Sequence, residues 1–115
     1  MADNDADALE LVCTDLTFEG QTIVGAAMSG EEALTMVRKT SPDVVILDYR
    51  MPPGPTGLEV LRTLRAEDRH VPVIVYSNYR DARMVQAVRS LGATFLDKGR
   101  IRDLRKAVAD AGASR

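Results

Sequence analysis

The sequence predicts an α/β fold built on a parallel sheet, and three observations carry that reading. Strand and helix signals alternate along the chain, the mark of parallel strands joined by crossover helices. Val44-Val45-Ile46-Leu47 is an unbroken apolar run, mostly β-branched, as expected of a strand buried on both faces. Three strand signals also lead into polar residues: Asp48 after that run, Ser77 after Val73-Ile74-Val75-Tyr76, and Lys98 after Thr94-Phe95-Leu96-Asp97. Chemistry in an open parallel sheet sits outside the carboxyl ends of the strands. An acid, a hydroxyl and an ammonium are therefore expected to share one site.

Each element has its own signal. Residues 7–19 read as a helix with Leu9, Val12, Cys13 and Leu16 on one stripe and Gly20 as the stop. Thr22–Ala27 reads as a strand. Ser29 and Glu32 have capping-box spacing and open a helix to about Lys39. Pro42 precedes the strand ending at Asp48, and the breakers Met51-Pro52-Pro53-Gly54 follow it. Thr56 and Glu59 repeat the capping box and open a helix to about Glu67, with Leu58, Leu61 and Leu64 inward. Pro72 precedes the strand ending at Ser77; Asp81 caps a helix to Leu91, which Gly92 terminates. After Thr94–Asp97, Ile101, Leu104 and Val108 form the stripe of a last helix. This makes four strands and five helices, and it starts with a helix, which is odd for a doubly wound sheet.

Size and composition bound the rest. A chain of 115 residues with 45% hydrophobic and 28% charged content builds one domain with a core, expected over 1–110, with 111–115 a tail or linker start. No apolar run is long enough to span a membrane, and no signal peptide precedes the first motif. Cys13 is the single cysteine, so no internal disulfide forms, which points to a reducing cytoplasm. Net charge is −2 but uneven: eight acids precede the first basic residue, Arg38. The basic residues near the C-terminus are interspersed with Asp103 and Asp110 and read as a solvated helix face, so nucleic-acid binding is not expected of this domain alone.

The residues Asp3-Asn4-Asp5, Asp48 with Met51-Pro52 and Gly57, Ser77, Phe95 and Lys98 form a pattern over essentially the whole chain. In that pattern the chain resembles the receiver domains of response regulators in two-component signalling. The resemblance implies a flavodoxin-like doubly wound parallel sheet. It implies a signalling module rather than an enzyme, with Asp48 taking a phosphoryl group from a histidine kinase or phosphotransfer protein. Ser77 and Lys98 would contact the phosphoryl oxygens, and Phe95 with Ser77 would form the switch. Mg2+ would be held by Asp3, Asn4, Asp5, Asp48 and the backbone carbonyl of Arg50. The chemistry suits these types: phosphoryl transfer is mostly positioning and charge neutralisation, an aspartate serves as nucleophile, and Mg2+ wants hard oxygens.

Several features depart from the family pattern. The neutral amide Asn4 stands where an acid is usual, so weaker Mg2+ binding is expected. The family's central first strand is absent or truncated, which leaves a gap about two strand spacings, ~10 Å, between the strands ending at Ala27 and Asp48. A homodimer or strand exchange is the expected way to fill it. Arg50, Asn78 and Tyr79 are expected at the site mouth, where they would restrict the attacking water. An alternative reading is a phosphorylation-independent pseudo-receiver that serves as an interaction module. A haloacid-dehalogenase-like phosphatase would need a second acid two residues after Asp48, where this chain has Arg50.

Overall fold

The computed structural model describes residues 1–113. In chain order these form α1 (Ala6–Phe18), α2 (Gly30–Thr40), β1 (Val45–Leu47), α3 (Gly57–Ala66), β2 (Val73–Ser77), α4 (Ala82–Ser90), β3 (Thr94–Asp97) and α5 (Ile101–Ala113). Helix caps act as their residues suggest. Ser29 Oγ accepts from Glu32 N–H, Thr56 and Glu59 complete a reciprocal capping box, and Asp81 caps α4. α5 runs to Ala113, so residues 111–113 continue the helix; Ser114 and Arg115, the rest of the expected tail, lie outside the described residues.

The three strands lie in the order β1-β2-β3, all parallel, with Val45 opposite Val73 and Ile74 opposite Thr94. Successive side chains point to opposite faces of the sheet. Val45, Leu47, Val73, Val75 and Phe95 therefore pack against Ala33 and Val37 of α2, Leu61 and Leu64 of α3, and Met84 and Val88 of α4. Ile46, Ile74 and Tyr76 face the other way, onto Val12 and Leu16 of α1 and Leu104 and Val108 of α5. Both faces are covered, which is why β1 and β2 read as uninterrupted apolar runs.

Residues 1–3 take a central place in the sheet, between the strand segment ending at Ala27 and β1. Ala2 makes isolated parallel bridges to Ala27 on one side and Leu47 on the other. Ala2 N–H donates to the Ile46 carbonyl at 2.8 Å, and Asp48 N–H donates to the Ala2 carbonyl at 2.9 Å. Asp3 N–H donates to the Ala27 carbonyl at 3.0 Å. Residues 1–3 thus occupy the carboxyl end of a central strand. The strand expected over Thr22–Ala27 appears only as the bridge at Ala27, where Ala2 pairs with it. Among the described residues, no helix is long and apolar enough to cross a membrane.

Arg65 ties the α3 face together. Its guanidinium donates to the carbonyls of Leu91, Arg69 and Val71 at 2.8–2.9 Å, joining α3 to the end of α4 and the entry of β2. Burial holds its pKa below the usual arginine value. Replacing Arg65 with Met keeps the aliphatic packing but leaves three carbonyls short of a donor. Urea unfolding of Arg65→Met should show a loss of about 2 kcal/mol; a loss within experimental error of zero would mean that water serves these carbonyls equally well.

Candidate functional site

The carboxyl ends of the strands bring four residues together. Asp48 follows β1 and is 7% exposed. Its Oδ1 accepts from Tyr49 N–H at 2.7 Å, and its Oδ2 accepts from Lys98 Nζ at 3.1 Å. Asp3, delivered by the central segment of residues 1–3, is fully buried and places Oδ2 2.7 Å from the same ammonium. That contact is close but poorly directed for a hydrogen bond, so Asp3 Oδ2 stays without a hydrogen-bond donor. Ser77 ends β2, buried, and its hydroxyl accepts from Tyr79 N–H. The Ser77 carbonyl accepts from Lys98 N–H at 3.0 Å, which fixes the lysine at the end of β3.

The charge balance is uneven. Two buried carboxylates face one ammonium. Burial alone pulls the Lys98 pKa down, but its close polar contacts with Asp3 and Asp48 and their charges outweigh this and hold it above the usual lysine value. Because the folded value is raised, the stabilisation is complete at neutral pH. It is lost only as pH rises through that value, beyond about 10.4.

The loops shape the mouth. A pocket of about 310 Å3 is lined by Asp48, Arg50, Ser77, Asn78, Tyr79 and Lys98. The Tyr49 and Tyr79 rings stack with centroids 5.1 Å apart, and the Arg50 guanidinium lies 4.1 Å from the Tyr79 ring centroid. Gly57 starts α3 hard against the acid's backbone: a Cβ there would stand 2.4 Å from the Asp48 carbonyl oxygen. Phe95 lies in the core, with the Arg80 guanidinium 5.2 Å from its ring centroid and Arg80 paired to Asp97 at 3.0 Å.

Comparison with known proteins decides the family. The family model described as the response regulator receiver domain matches residues 1–109. The chain belongs to the response regulator receiver domain family. It is 37% identical over 67 residues to sporulation initiation phosphotransferase F of Bacillus subtilis, covering 58% of this chain and 53% of that protein. The receiver domain of the putative response regulator NarL from Mycobacterium tuberculosis superposes with a TM-score of 0.88 at 30% identity, covering 99% of this chain and 94% of that one. The CheX–CheY–BeF3–Mg2+ complex from Borrelia burgdorferi gives 0.86 at 26% identity, covering 95% and 84%. The chain spans about half or less of the length of the curated relatives it matches.

Receiver domains bind Mg2+ in general, and the residues of this one fit a hard dication in a specific way. Asp3 and Asp48 supply two buried carboxylates with one cation between them and an orphaned oxygen on Asp3. Asn4 and Asp5 are not drawn into the receiver site. Asn4 is exposed, and Asp5 Oδ1 accepts from Asp7 and Ala8 N–H as the cap of α1. Among the described residues, no group of three or more His, Cys, Asp or Glu stands poised around a metal position. Tyr49, whose N–H holds the Asp48 carboxylate, is a site residue that sequence reading passed over. The signal for Tyr49 was its place directly after the strand-end acid, opposite a second tyrosine two residues beyond Ser77.

Removing the ammonium tests this balance. Lys98→Gln leaves two buried carboxylates unpaired and should cost about 3 kcal/mol in unfolding experiments. Millimolar Mg2+ should raise the melting temperature of Lys98→Gln more than that of the parent, because the dication then meets no competing charge. An equal shift in both would place the cation away from Asp3 and Asp48.

Proposed function

We propose that this receiver domain accepts a phosphoryl group on Asp48 from a phosphohistidine of a sensor kinase or phosphotransfer protein. The observation that carries the reading is the Asp48 carboxylate at the floor of the open pocket, with Lys98 Nζ on its Oδ2 and Ser77 lining the same space. A carboxylate oxygen attacks phosphorus, the P–N bond to the imidazole breaks, and the nitrogen keeps the electron pair. Lys98 then serves as a point charge toward the phosphoryl oxygens. The buried Ser77 hydroxyl exchanges its bond with Tyr79 N–H for one to the phosphoryl group. Asp3 and Asp48, with the Arg50 backbone carbonyl, would hold Mg2+, which neutralises charge on the transferring group.

Output follows from the same displacement. Movement of Ser77 frees space beside Phe95, and Phe95 packs among residues of α4, so the surface of α4, β3 and α5 is the expected readout. The shift is limited to the phosphoryl group's differential interaction with the two arrangements. A kinase-linked role and the free Cys13 suit a cytoplasmic setting.

Incubation with acetyl phosphate and Mg2+ should add one phosphoryl mass to the chain and none to Asp48→Asn. An unmodified parent would favour the phosphorylation-independent module, and a modified Asp48→Asn would misplace the acceptor.

The mouth sets how long the mark lasts. Arg50 and Tyr79 line the pocket, with Tyr49 stacked on Tyr79, and they narrow the line along which water reaches phosphorus. Arg50→Ala and Tyr79→Ala should each shorten the half-life of the phosphorylated chain several-fold, followed by loss of the radiolabel. A half-life unchanged in both variants would leave the stack a packing role alone.

A further inference from the structure

Arg80 sits in the loop between β2 and α4, one residue before Asp81, which caps that helix. Its side chain reaches back to β3. The guanidinium donates to Asp97 Oδ2 at 3.0 Å, and its carbon lies 5.2 Å from the centre of the Phe95 ring. One residue can make both contacts because Phe95 and Asp97, two apart on β3, project to the same face. Phe95 is 5% exposed, whereas the Arg80 and Asp97 side chains are about half-exposed. The cation therefore closes over the outer side of a buried ring.

The same loop holds the Ser77 hydroxyl. Tyr79 N–H donates to Ser77 Oγ at 3.1 Å, and the ladder fixes Ser77 opposite Asp97. A closed circuit results. Sheet pairing joins Ser77 to Asp97, the guanidinium joins Asp97 to the loop, and the loop returns to Ser77 through Tyr79 N–H. Neither Arg80 nor Asp97 lines the pocket around Asp48.

We propose that Arg80 is a positioning residue, a latch that holds the Ser77–α4 loop and Phe95 in the resting arrangement. The latch opens when Asp48 is phosphorylated, a role that rests on Asp48 being the acceptor.

Opening follows from the circuit. Ser77 can turn to the phosphoryl oxygens only by giving up Tyr79 N–H, and the loop then loses its tie to the serine. Displacement of that loop carries Arg80 with it, while Asp97 stays in the sheet beside Lys98. The ion pair and the ring contact are lost together. Both then count against the phosphorylated arrangement, and they help to set its population at rest. A half-exposed ion pair and a cation–ring contact are each modest, but together they shift an equilibrium roughly three- to tenfold.

The chain has two phenylalanines, and both can be labelled as 4-fluorophenylalanine. Phe18 is exposed on α1 and serves as the reference, while Phe95 reports the latch. Titration with beryllofluoride and Mg2+, as a phosphoryl mimic, should move the residue 95 signal of the parent. In Arg80→Ala that signal should stand part-way along the same path before any addition. Half-saturation should then need roughly three times less beryllofluoride, or lower still. Removing a cation near an anion site would by itself weaken binding, so tightening separates the latch from a plain charge effect. Arg80→Lys keeps the charge without the planar fork and should fall between the two. Unaltered or weaker half-saturation in Arg80→Ala, whatever its melting temperature, would overturn the proposal and leave Arg80 a packing role. A parent that neither answers beryllofluoride nor gains a phosphoryl mass from acetyl phosphate would overturn phosphoryl transfer itself, and the latch with it.

Discussion

Four backbone hydrogen bonds around Ala2 tie the edge segment ending at Ala27 to β1. They form a single rung, and much of the molecule depends on it. The rung places Asp3 beside Asp48, because Asp3 leaves the strand directly after its last paired residue. It also starts α1, since Asp5 turns to cap that helix two residues on. α1 in turn supplies Val12 and Leu16 to the second face of the sheet. A backbone slip of one residue would put Asp3 in the sheet and its side chain on the wrong face. Correct register at Ala2 is therefore a condition for both the acid pair and half of the core.

The acid pair explains why Lys98 is held so firmly. Asp3 is wholly enclosed, and a buried carboxylate without a counter-charge is untenable. Lys98 meets that need from β3, and its own position comes from the ladder bond to the Ser77 carbonyl. Carboxylates, hydroxyl and ammonium are thus fixed to one another by sheet pairing, with Tyr76 Oη accepting from Gly99 N–H to hold the loop that follows. The site is preorganised by backbone geometry, and its loops are left to set access. Arg50 and Tyr79 are free to take that second role because neither is needed to hold the acids.

Legibility divided along the same line. Asp48, Ser77 and Lys98 were visible because each ends a strand signal, and strand ends converge in a parallel sheet. The helices were visible through their caps and stripes, within a residue or two at most ends. Asn4 and Asp5 were harder. Three polar residues in succession carry no period, and only the backbone decides that Asp3 turns inward while Asp5 caps a helix. Thr22–Ala27 has a strand's composition, but a strand is a pairing, and among the described residues only Ala27 is paired, with Ala2. The Tyr49–Tyr79 stack joins two loops far apart in sequence, which no local pattern reveals.

Chemistry and support meet in the same central segment. Residues 1–3 carry the carboxylate and its pairing: Ala2 bonds to both neighbours and Asp3 follows it into the site. A strand contributes to a site at its tip through one side chain, but to stability along its whole length through burial on both faces. The ladder bonds of Ala2 therefore fix the geometry of Asp3 relative to Asp48 and Lys98, while β1 and β2 carry the burial on both faces.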